Sequence, residues 1–74
     1  MDINVVKEAV SEYHKNTKYC LEITYNNILN TKRISHGSGV ELSVYYNSLK
    51  VITPNKEIFY YDISYIVRIM LIIV

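Results

Sequence analysis

LKVITPNKEIFYYDISYIVRIMLIIV, residues 49–74, is the stretch on which the fold class turns. Read forward it is a strand, a turn, a second strand, a short break and a last strand. Thr53-Pro54-Asn55-Lys56 puts proline where its fixed φ favours a turn, with asparagine directly after it. Asp62-Ile63-Ser64 interrupts the second run with side chains that hydrogen-bond their own backbone. Most of the remainder is β-branched or aromatic, which suits a pleated, half-buried surface. Ile58 and Tyr60 fall opposite Phe59 and Tyr61 by strand alternation. Residues 66–74 carry one charge, Arg68, and are apolar on both faces. Such a strand is expected to be central or covered on both sides.

The pattern extends upstream. Val40, Leu42, Val44 and Tyr46 alternate against Glu41, Ser43 and Tyr45. Asn47-Ser48 is a hairpin signal, and Leu49 and Val51 continue the alternation. Tyr19, Leu21, Ile23 and Tyr25 share one face of an earlier strand, with Cys20, Glu22 and Thr24 on the other. Between these strands, residues 28–36 mix apolar and basic side chains and read as an irregular strand or a loop. Gly37-Ser38-Gly39 then breaks the pattern or places a bulge. At the start, Asp2 is a candidate N-cap, and Ile3, Val6, Val10 and Tyr13 recur at helical spacing. A helix is therefore expected over residues 2–16. At about four turns it is marginal alone and must dock its apolar stripe.

One helix followed by five short antiparallel strands predicts a single α+β domain over residues 1–74, with the strands of residues 18–74 forming a small β-barrel. The chain has 74 residues, near the lower limit for a self-sufficient core. A formal net charge of +1 gives no bulk attraction to nucleic acid or membrane. A single cysteine, Cys20, fits a reducing compartment. The N-terminus lacks a secretion-signal pattern, and the longest apolar stretch, residues 69–74, is far short of the ~20 residues of a membrane helix. A soluble cytoplasmic protein is expected. Eight tyrosines among many Ile, Asn and Lys point to an AT-rich genome, of the kind carried by a Gram-positive bacterium or its phage.

The order of elements, and Ile58-Phe59-Tyr60-Tyr61-Asp62-Ile63-Ser64-Tyr65-Ile66-Val67 in particular, resembles the Sm-like (Hfq-like) family of SH3-like small barrels. In that family a Tyr-Lys-His-Ala-Ile-Ser stretch feeds the final strand. The resemblance implies a barrel and a ring in which last strands pair with neighbours. Tyr60, Tyr61 and Asp62 stand where the family has lysine, histidine and alanine, and its Asn-Gly turn is absent, Asn26-Asn27 and residues 32–39 standing there instead. The family's uridine pocket is therefore not carried over.

Cys20, His14, His36 and Asp62 are the only candidates for nucleophile, base and orienting group. Cys20 lies opposite the apolar face of its strand and reads as an inert thiol packed like a small hydrophobe. His36-Gly37-Ser38-Gly39 lacks the strand-to-helix elbow that exposes a nucleophilic serine. No histidine, cysteine or acid spacing suggests a metal, and no glycine-rich loop suggests a phosphate. No catalysis and no cofactor are expected.

Two binding modes follow. For single-stranded RNA or a nucleotide, Lys32, Arg33 and His36 form the one basic cluster, and the tyrosines could stack bases. Strand alternation, however, puts one of each adjacent tyrosine pair in the core. The leading expectation is protein–protein contact by a small regulatory protein, of the sort with which a phage or mobile element inhibits a host machine. Tyr45, Tyr61, Tyr65 and Arg68 are the expected partner-binding residues, being types that interfaces favour. Leu71, Ile72, Ile73 and Val74 extend beyond a five-residue strand and are expected to drive homo-oligomerisation.

Overall fold

Asp2 caps the first element: its carboxylate accepts from the Asn4 N–H at 2.7 Å, satisfying one orphan donor of the first turn. Helix α1 follows over Ile3–Lys15 and buries Val6, Val10 and Tyr13, the stripe its spacing predicts. The structure, a computed structural model, describes residues 1–16, 18–26 and 29–73.

Six strands follow: β1 (Tyr19–Asn26), β2 (Thr31–His36), β3 (Glu41–Tyr45), β4 (Ser48–Ile52), β5 (Ile58–Asp62) and β6 (Ile66–Ile73). They form two separate antiparallel sheets, β2-β1-β6 and β3-β4-β5. This corrects the expected five-stranded barrel. The additional strand is β2, from the segment whose pattern was ambiguous; Ile28 at its approach lies outside the described residues. β2 alternates weakly because only Ile34 and His36 are half-buried, while Lys32 and Arg33 are exposed. The chain then leaves one sheet for the other at Gly39, whose φ of +86° suits glycine. A barrel would further need β5 and β6 to pair. They do not, because a 3₁₀ turn over Ile63–Tyr65 redirects the chain between them.

That turn is built as its sequence predicts. Asp62 accepts from the Ser64 N–H at 2.9 Å and the Ser64 hydroxyl at 2.7 Å. The Ile63 N–H bonds the Asn47 carbonyl at 2.9 Å, and the Met1 ammonium bonds the Ile63 carbonyl at 3.1 Å. At Thr53-Pro54-Asn55-Lys56 the Lys56 N–H reaches the Thr53 carbonyl at 2.9 Å, closing the expected turn. The β3–β4 hairpin differs by one residue from expectation. Its turn is Tyr46-Asn47, and Ser48 already belongs to β4, opposite Tyr45.

The core joins all layers: Val6, Val10 and Tyr13 from α1, Leu21 and Ile23 from β1, Leu42, Leu49, Val51 and Tyr61 from the second sheet, with Ile63 and Ile66. α1 packs on β3 and β6. The Tyr13 hydroxyl donates to the Val40 carbonyl at 2.6 Å, and His14 Nε2 lies 3.0 Å from the Leu42 carbonyl oxygen. The helix thereby occupies acceptors along the outer edge of β3. β6 is an edge strand rather than a central or doubly covered one. Among the described residues it pairs only with β1; it packs Ile66, Ile69 and Leu71 inward and leaves Val67, Ile72 and Ile73 exposed. Among the described residues, no helix is long and apolar enough to cross a membrane.

Candidate docking surface

Cross-strand register assembles the outer face of β3–β4–β5. Lys50 stands between Ser43 and Tyr60, and Ser48 between Tyr45 and Asp62. Tyr45 and Tyr60 are thus diagonal neighbours across Lys50, within reach of long side chains. The Lys50 ammonium lies 5.8 Å from the Tyr45 ring centroid and 5.7 Å from that of Tyr60. At those distances the ring quadrupoles attract it, while its methylene stem covers the sheet. Among the described residues no carboxylate forms an ion pair with Lys50. Tyr46 packs its ring against Tyr45, with centroids 4.6 Å apart and planes at 86°. Tyr45, Tyr46 and Tyr60 are 53%, 83% and 55% exposed.

Tyr46 is also held in an unusual backbone conformation, with φ +54° at the first turn position. Two-residue hairpin turns normally place glycine or asparagine where φ is positive. Beside the patch, Asp62 has its carboxyl held below the usual 3.8 by hydrogen bonds from the Ser64 hydroxyl and N–H. Its charge serves the cap of the 3₁₀ turn.

A second aromatic group is internal and ties the two sheets together. Tyr61, 8% exposed, lies 5.9 Å from Tyr25 and nearly parallel to Phe59. Its hydroxyl is 2.8 Å from His36 Nε2 and donates to that nitrogen when it is unprotonated. Burial pushes the His36 imidazole below its usual 6.5 and the Tyr61 phenol above its usual 10.0.

The residues expected to bind a partner therefore do not share one surface. Tyr45 is on the outer face of β3, Tyr61 is in the core, and Tyr65 sits on the 3₁₀ turn with its ring 5.9 Å from Tyr25. Arg68 is on the outer face of β6, where its guanidinium donates to the Met70 sulfur. Of the residues expected to self-associate, Leu71 packs on the core, and Ile72 and Ile73 are exposed but paired in register with Cys20 and Tyr19. Val74 lies outside the described residues. The basic cluster separates too. Arg33 bridges Glu22 at 3.4 Å, Lys32 alternates to the other side of β2, and His36 is bound to Tyr61. Cys20 is half-buried beside Ile72 in register, on the opposite side of β1 from the core. His14, His36, Cys20 and Asp62 thus occupy four different environments.

Lys50 was not singled out by sequence reasoning, and Tyr46 was named only among the tyrosines that could stack bases. The signal was present in the two hairpins: a turn at Tyr46-Asn47 rather than Asn47-Ser48 puts Lys50 two pairs from Tyr45 on the same face, and the β4–β5 register sets it directly beside Tyr60. Comparison of the chain with protein-family models, curated proteins and solved structures gave no match. The likeness of residues 58–67 to Sm-like chains rests on those residues alone.

Proposed function

We propose that this chain is a non-enzymatic binding protein that acts by protein–protein contact through Tyr45, Tyr46, Tyr60 and Lys50. The observation that carries this reading is Tyr46. A tyrosine at φ +54° on a hairpin tip, 83% exposed, bears backbone strain of about 1–2 kcal/mol without burying its ring. Such strain concentrates at ligand clamps, where a side chain is held ready for a partner. Tyrosine suits this role because a large amphipathic ring is ordered at low entropic cost. Tyr45 braces it from the side, and Lys50, set between two phenol rings, offers a cation to a partner's carboxylate or carbonyl. Tyrosine is among the residue types that dominate binding energy at protein contacts.

The test is affinity capture with the immobilised chain from a lysate of the organism carrying the gene, alongside Tyr46→Gly and Tyr60→Ser. A protein retained by the wild type, insensitive to nuclease and to added salt, and retained at least tenfold less by either variant is expected. Equal capture by the variants overturns the assignment of this face. Capture that vanishes with nuclease and falls steeply with salt would instead support single-stranded RNA stacked on the same rings.

A further inference from the structure

The eight-residue strand β6 is hydrogen-bonded to β1 along one edge, and no strand among the described residues pairs along the other. Every second residue of an antiparallel strand directs its N–H and C=O to the unpaired side. The outer edge of β3 is treated differently: Tyr13 and His14 occupy its Val40 and Leu42 carbonyls. Among the described residues, no hydrogen bond from outside the sheet reaches the β6 backbone beyond Ile66. Beyond an irregularity at Val67 the strand lacks the usual protections of an edge, with no proline and one charge. A register shift sets Val67 apart at its start, and Arg68 to Ile73 then pair regularly with β1.

We propose that this edge pairs with the same edge of a second copy, antiparallel about a two-fold axis at Met70. The two β2-β1-β6 sheets then become one sheet of six strands. Pairing about Met70 sets Arg68 opposite Ile72 of the second copy and Ile69 opposite Leu71, so both cores lie on one side. The charge pattern favours this arrangement over parallel pairing in register. The two Arg68 guanidiniums are four residues apart along the strands, roughly 14 Å, beyond the ~8 Å screening length of physiological salt. Parallel pairing in register would stack them about 5 Å apart. β5 and β2, the other edges without a strand partner, span five and six residues and would leave part of β6 unpaired.

Light scattering behind size exclusion is expected to give twice the 8.7 kDa chain mass. Ile72→Arg sets a second guanidinium across from Arg68 in both halves of the dimer. It is expected to raise the dissociation constant at least tenfold. Arg68→Glu combined with Ile72→Arg restores the dimer, while Arg68→Glu alone leaves it intact. Independently of these variants, Met70→Cys in a Cys20→Ser background is expected to cross-link to a covalent dimer on mild oxidation. A monomer at millimolar concentration, an assembly of more than two copies, or a dimer indifferent to Ile72→Arg and not cross-linked through position 70 overturns the proposal.

Discussion

Tyr46 and His36 each hold a conformation or a charge state that the unfolded chain would not choose. For Tyr46→Gly, relief of the left-handed backbone is worth about 1–2 kcal/mol. Against it stand about 0.5–1 kcal/mol of extra chain entropy and a similar loss of the edge-to-face contact with Tyr45. Thermal melts of this variant should therefore stay within about 1 kcal/mol of wild type, while partner capture is lost. A large loss of stability would make the ring structural. His36 gives a pH dependence. The unfolded imidazole takes its proton near 6.5, and the buried one only at lower pH. Between those values the unfolded chain binds more protons, so stability falls as pH drops below 6.5 and levels off once the folded imidazole is charged. Melting midpoints should decline between pH 7 and pH 5 in wild type and more shallowly in His36→Gln. Equal slopes would place the titration elsewhere. Asp62 does not overlap this window. Its contribution is complete above 3.8 and is lost only as pH falls through its lower folded value.

At the scale of elements, α1 and β3 hold each other through a buried hydroxyl. Tyr13 is 2% exposed, and its bond to the Val40 carbonyl is short at 2.6 Å. Burial raises the Tyr13 phenol above 10.0, so it stays a donor at neutral pH. Tyr13→Phe keeps the ring and removes the donor, leaving a buried carbonyl unpaired at a cost of about 1–2 kcal/mol. In a chain of this size the thermal midpoint should fall by roughly 5–10 °C. An unchanged midpoint would mean that water replaces the hydroxyl and that the helix docks by its apolar stripe alone. The same contact explains why β3 needs no strand on its outer edge, whereas among the described residues no such cover reaches β6.

At the scale of the whole molecule, the two sheets are joined by a bend at Gly39 and by the 3₁₀ turn before β6. Gly39 has φ +86°, and an added Cβ would lie 3.7 Å from Pro54 Cγ, an ordinary contact. Gly39→Ala should therefore cost about 1–2 kcal/mol through backbone strain alone. Gly37→Ala, with nothing within 4 Å of the new methyl, should be neutral to slightly stabilising in urea unfolding. Equal effects at both positions would show that the bend is not localised at Gly39. The sequence by itself determined the helix, the alternation of β1, β3 and β4, the Pro54 turn and the Asp62 break. Each depends on side-chain periodicity or on a side chain bonding its own backbone within a few residues. Only the tertiary structure decided that Thr31–His36 is a strand, because the polar residues of an edge strand carry little alternation. It also decided that Tyr60 faces out while Tyr61 is buried, since alternation fixes that two neighbours differ and not which one meets the core. Whether the strands closed into a barrel was likewise beyond local pattern. Closure depends on the accumulated twist and on the bends at Gly39 and Asp62-Ile63-Ser64, which leave the edges of β5 and β6 unpaired with each other.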